Sequence, residues 1–181
     1  MSDEGPITAP AAAPIPAWLT TFAPPAFVMM RFDDSDMTNT LWAWERQVPG
    51  LVQRMCRGQK CRTARGLYDE ISAALQFPYY FGENAAALDE CLRDLVWLPA
   101  KAFVVGILHA DELLADEEAG SFARFIKLLD AAARHWAAPS ANDQAFGAMS
   151  MPFHIVLQTS EGSALMLGAK LNAAGVSALV Q

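Results

Sequence analysis

The chain has 181 residues, 53% of them hydrophobic, with ten Phe and five Trp, enough to bury a core of ordinary size and too apolar for a disordered chain. Twenty acidic residues against 13 basic give a formal net charge of −7, which repels nucleic acid and anionic lipid and favours cationic partners. Residues 1–25 lack the basic and apolar regions of a secretory signal, and no run of about 18 apolar residues occurs, so the expectation is a cytoplasmic chain without a membrane span.

Residues 5–25 hold six of the eleven prolines among many alanines, a composition that favours extended backbone over regular helix. Residues 1–25 read as a strap or tail, with Trp18, Leu19 and Phe22 as anchors on the domain. Ala26 to Phe32 reads as a strand ended by Asp33-Asp34-Ser35-Asp36. Asp36 or Thr38 caps a helix through Val48, with Leu41, Trp42, Glu45 and Val48 at helical spacing, and Pro49-Gly50 breaks it. Leu51 to Arg57 is a second strand and Gly58-Gln59 a turn.

Thr63 is the expected cap of a helix whose stripe is Leu67, Ile71, Ala74 and Leu75, and Phe77-Pro78 ends it. Tyr79 to Asn84 is a loop, and Asn84 caps a helix through Leu95. Lys101 to Leu108 has the continuous apolar character of a central strand. A helix from Ala119 to Trp136, a strand from Phe153 to Gln158, a helix from Ala164 to Ala173 and a short strand from Val176 to Val180 complete the order. Strands alternating with helices predict an α/β domain with a partly parallel sheet.

Cys56, Cys61 and Cys91 do not form a disulfide framework. A hairpin could pair Cys56 with Cys61, but free thiols fit a reducing compartment. His109, His135 and His154 are isolated, so no metal site and no cofactor are expected. Gly-x-Ser-x-Gly, a phosphate-cradling glycine loop and His-Glu-x-x-His are all absent. Glu83, Asp89, Glu90 and Asp94 offer a carboxylate pair for glycosidic chemistry only on one exposed helix, where acids ordinarily form a solvated face. The chain is therefore expected not to be an enzyme.

The most informative run is Phe77 to Leu95. On a helix from Asn84, the residues Ala85, Leu88, Cys91, Leu92 and Leu95 share a stripe that would face the core. Glu83, Ala86, Glu90 and Asp94 lie near an outward line, with Asp89 between. Tyr79, Tyr80 and Phe81 stand beside this line, and aromatics beside carboxylates suit an interface that grips cations.

Tyr80-Phe81-Gly82-Glu83-Asn84 leading into Ala87-Leu88-Asp89-Glu90-Cys91-Leu92 resembles the signature of the barstar family, inhibitors of small secreted ribonucleases with many bacterial members. The likeness runs from about Leu51 to Gln158. It implies a three-layer α/β domain over 51–160 with a small, mainly parallel sheet covered by helices. Residues 26–50 would be an N-terminal extension and 161–181 a C-terminal one. It also implies an immunity protein of toxin–antitoxin type that occludes the basic active site of a cognate nuclease. The partner-binding residues would be Tyr79, Tyr80, Phe81, Glu83, Asn84, Ala85, Ala86, Asp89, Glu90 and Asp94.

Carried over by position, Tyr80 takes the place of an interface tyrosine and Gly82 that of the turn glycine. Asn84 takes the helix cap. Glu90 takes an acidic interface position, one methylene longer than the usual Asp. Ala85 and Ala86 depart from the pattern, which commonly has Trp or Leu followed by Asp. This double truncation reads either as a binding-weakened double Ala variant or as drift to a partner that needs no plug there. The alternative to inhibition is a non-catalytic regulatory module with a non-nuclease partner, since a fold does not fix its function.

Overall fold

A computed structural model describes residues 13–22, 25–139 and 150–181. Five parallel strands form one sheet in the order β2-β3-β4-β1-β5: β1 is Phe27–Met30, β2 Leu51–Arg57, β3 Ala102–Leu108, β4 Phe153–Gln158 and β5 Ala178–Val180. Pairing is parallel throughout, for example Val105 with Ile155 and Val28 with Val156. Strands β3 and β4 lie at the centre, and their near-continuous burial explains why they lack polar alternation.

Among the described residues the helices are α1 (Asp34–Gln47), α2 (Ala64–Ala74), α3 (Ala85–Asp94), α4 (Ser121–Ala137) and α5 (Glu161–Ala173). Four of them, α2 to α5, cover one face, where Phe27, Phe103, Val105, Ile107, Ile155 and Leu157 meet Leu67, Leu88, Ile126 and Leu167. The other face carries Val28, Met30, Val104 and Val156, covered by Met37, Leu41 and Trp44 of α1 and by Trp18 and Leu19. The result is the three-layer α/β arrangement expected of a barstar-like domain.

Helix α1 differs from its expected form. Asp33, not Asp36 or Thr38, is its cap: the Asp33 carboxylate accepts from the Asp36 amide at 2.7 Å. The acid run is thus the first turn of the helix, where the dipole favours negative charge. Burial falls on Met37, Leu41 and Trp44, and Trp42 is exposed. A step of about 100° per residue places Trp44 with Met37 and Leu41, and Trp42 nearly opposite. The helix can lie this close because β3 has Gly106 beneath it, where an added Cβ would meet Leu41 at 2.5 Å.

The segment before β1 is docked over residues 13–22. Ala17–Thr20 forms a 3₁₀ turn that buries Trp18 and Leu19, whereas Phe22 is exposed. Trp18 packs edge-on against Trp44 and His154, and the Trp44 indole donates to the Pro14 carbonyl at 3.0 Å. The remaining prolines of residues 1–12 lie outside the described residues.

His154 is buried beneath this turn, with Nδ1 3.0 Å from the Pro25 carbonyl. Burial holds its pKa below the usual imidazole value, against the opposing pull of nearby carbonyls. The unfolded chain therefore binds a proton here before the folded one does. Stability is expected whole above pH ~6.5 and to fall as pH drops from there toward the folded-state value. Asp33, Glu70 and Asp116 are also held below their usual range, and their loss follows only at lower pH. Urea midpoints at pH 7.5 and 5.5 check this: the wild-type midpoint should fall, and His154→Phe should flatten the slope.

Cys56, Cys61 and Cys91 are free and buried, and burial pushes the Cys61 thiol up to about 12. Among the described residues no helix is long and apolar enough to cross a membrane, and no cluster of His, Cys, Asp and Glu could hold a metal ion.

Candidate functional site

Helix α2 is capped by Thr63, whose hydroxyl accepts from the Gly66 amide at 3.2 Å, and buries Leu67 and Ile71. It ends as Gln76 turns into the left-handed region (φ 53°). The chain then passes through Pro78 and the aromatic run to α3.

An aromatic base supports this loop. Phe77 packs edge-on against Phe81 at 5.0 Å and Trp97 at 6.0 Å, and Phe81 against Tyr68 at 6.1 Å. The Trp97 indole donates to the Leu75 carbonyl at 2.9 Å. Phe81 therefore faces inward, unlike the two residues before it. Tyr79 is fully exposed, Tyr80 is 63% exposed, and their rings touch edge-on at 5.7 Å.

Gly82 and Asn84 set the entry into α3. The Asn84 side chain accepts from the Ala87 amide at 3.0 Å and donates to the Gly82 carbonyl at 2.9 Å. This fixes the first turn and satisfies an otherwise orphaned donor. Glu83 precedes the helix and has a left-handed backbone (φ 46°), so its carboxylate is presented from the loop and not from a helical line. A left-handed glutamate is strained, and strain of this kind persists only where the surroundings enforce it.

Along α3, Leu88, Cys91 and Leu92 are buried, and the left-handed Leu95 ends the helix. Ala85 does not face the core: it is exposed, as is Ala86. The helix is only beginning at Ala85, and the core-facing stripe starts one turn later. The Trp136 indole of α4 donates to the Leu92 carbonyl at 2.8 Å and holds the end of α3 in place.

The acidic residues separate into two kinds. Asp89 is half-buried and pairs with Arg93 one turn later at 2.9 Å. Glu83, Glu90 and Asp94 are exposed, and none pairs with a cation among the described residues. The Tyr80 hydroxyl is pushed above the usual tyrosine value, first by partial desolvation and then by Asp94, Cys91 and Glu90. Tyr80, Glu90 and Asp94 thus share one electrostatic neighbourhood, with Tyr79 beside it.

A hollow of about 230 Å³ adjoins Ala85. Its other walls come from α2, from the segment after β3 and from α4. Periodicity within α3 carries no signal of it, because the walls meet only in the folded chain.

This arrangement presents exposed acids, exposed tyrosines and a helix start to solvent. The family model of barstar, the barnase inhibitor, matches residues 51–163. The chain belongs to the barstar family. The matched span runs from β2 into the first turn of α5 and includes the whole of the Tyr80 loop and α3. Barstar-family proteins are ribonuclease inhibitors and not enzymes, and they bind ribonuclease partners. A search of curated proteins finds no match to this chain. Strands β1 and β5 and helix α1 fall outside the barstar match but complete the sheet and its second layer.

Proposed function

We propose that the chain is an immunity-type inhibitor that occludes the basic active site of a cognate nuclease toxin with the Tyr79–Asp94 loop and helix. The observation that carries this reading is the set of exposed carboxylates Glu83, Glu90 and Asp94, unpaired among the described residues, together with exposed Tyr79 and Tyr80. Large exposed aromatics mark interfaces. Carboxylates without an internal partner are free to replace the phosphates that a nuclease cleft attracts. Asn84 and Phe81 act as scaffold, and Asp89, already paired with Arg93, lends weaker support. In this reading residues 51–160 are the inhibitor unit, acting in the bacterial cytoplasm, and the flanking segments build the rest of the sheet.

The alanines at 85 and 86 favour a second reading, a binding module whose partner is not a nuclease, because the central carboxylate of the family pattern is missing. Titration against a barnase-type ribonuclease separates the two. Tyr80→Ala and Glu90→Ala should each weaken inhibition at least tenfold, as expected of central interface residues. The wild-type on-rate should fall steeply with added salt, since an acidic face steers toward a basic cleft. Inhibition unchanged by both substitutions, with a salt-independent on-rate, would count against the nuclease reading.

A further inference from the structure

Strand β2 is one outer strand of the sheet, seven residues long, and β5, the other, has three. An outer strand leaves a row of backbone donors and acceptors facing away from the sheet, a template for a strand of another molecule. Shortness limits that hazard at β5. The longer β2 needs another answer.

The register fixes which groups of β2 face outward. The Lys101 amide donates to the Gly50 carbonyl at 2.8 Å, so Gly50 turns that group toward β3. Polar backbone groups of alternate residues point to opposite sides of a strand, so Leu51, Gln53, Met55 and Arg57 turn theirs outward. Three of these residues are already engaged. The Leu51 amide donates to the Val48 carbonyl at 3.1 Å. The Gln53 amide donates to the Glu45 carboxylate at 3.1 Å, and the Gln53 carbonyl accepts from the Arg54 guanidinium at 2.7 Å. The Arg57 amide donates to the Glu70 carboxylate at 3.0 Å. Glu70 is fixed in turn by the Arg57 side chain, through Nε at 2.7 Å and Nη2 at 2.9 Å, and its own side chain is only 13% exposed.

Glu45 belongs to α1 and Glu70 to α2, which cover opposite faces of the sheet. The helices before and after β2 thus each send one carboxylate to its outer edge. Water would satisfy exposed amides as well. What the carboxylates add is occupancy: each holds the place that the carbonyl of an incoming strand would take. We propose that Glu45 and Glu70 lock the β2 edge against strand addition and keep a second copy of this chain from extending the sheet there. Met55, between the two locked positions, is too little to start a ladder alone.

Amide hydrogen exchange on the wild-type chain reads the lock directly. The Gln53 and Arg57 amides should exchange about tenfold more slowly than that of Met55, although no strand lies beyond any of them. Equal rates overturn the proposal. Glu45→Ala combined with Glu70→Ala should let two copies pair through β2, so that the mass by analytical ultracentrifugation rises about twofold over wild type as concentration increases. The Met55 amide should become protected in step. Glu45→Gln with Glu70→Gln keeps an acceptor oxygen at both places and should behave as wild type. An alanine pair that is folded by circular dichroism and no heavier than wild type overturns the proposal, as does association that leaves the Met55 amide unprotected. The wild-type exchange rates decide the matter if the alanine pair does not fold. Tyr80→Ala should alter none of these readings, so the lock stands or falls apart from the docking reading.

Discussion

Ala86→Asp is expected to tighten binding to a barnase-type ribonuclease by about one to three orders of magnitude. Position 86 is exposed on the first turn of α3, the part of the helix that Asn84 holds in place. An acid there gains from the helix dipole and adds to the field of Glu83 and Glu90. The gain comes chiefly from the partner. A nuclease cleft that binds phosphate carries cations, and a cation buried opposite alanine is left without its counter-charge. A buried charge pair broken on one side costs about 2–5 kcal/mol. Part of that is recovered when the missing acid is supplied, and each 1.4 kcal/mol is about tenfold. Calorimetric titration at low and at physiological salt measures it. A Kd unmoved by Ala86→Asp would remove position 86 from the contact.

Trp18→Ala is expected to cost about 3–5 kcal/mol of stability, the range for a large aromatic removed from a core. Trp18 is nearly buried and touches Trp44 and His154 at centroid distances of 5.5 and 5.0 Å. Its Nε1 has no hydrogen-bond partner among the described residues, so packing alone is lost, and Trp18→Phe should be far milder. Trp42→Ala, at an exposed position of α1, should stay within about 0.5 kcal/mol. Urea unfolding followed at constant m-value distinguishes the three. Because Trp18 lies on the sheet face away from α3, ribonuclease binding by the folded fraction should be unaffected.

Most of the elements were legible because their signals are local. Thr63 and Asn84 act as caps where hydroxyl and amide side chains precede apolar stripes, and β3 and β4 announce themselves by unbroken apolar runs. The family signature from Tyr80 to Leu92 was legible for the same reason. The misreadings have physical causes. Four cap-competent residues in a row hid the start of α1, and only the Asp33 hydrogen bond decides it. Trp42 and Trp44 are both large and two positions apart, and local spacing does not say which one finds Trp18. Ala85 precedes the first full turn, so a helical wheel assigns it a face before the helix has one. Phe81 turns inward because Phe77 and Tyr68 wait for it, contacts that cross element boundaries. The strand order, which places β1 between β4 and β5, depends on long-range pairing that no window of residues contains.

That placement makes the two ends of the chain mutually dependent. Strand β5 pairs with β1, and β1 in turn covers β4. Without β1, β5 has no strand to pair with, and β4, six buried residues in a row, becomes a bare hydrophobic margin. Unpaired apolar margins of this kind recruit strands from other molecules. Strand β1 thus works as a sheath, and a chain lacking it is expected to self-associate before it meets any partner.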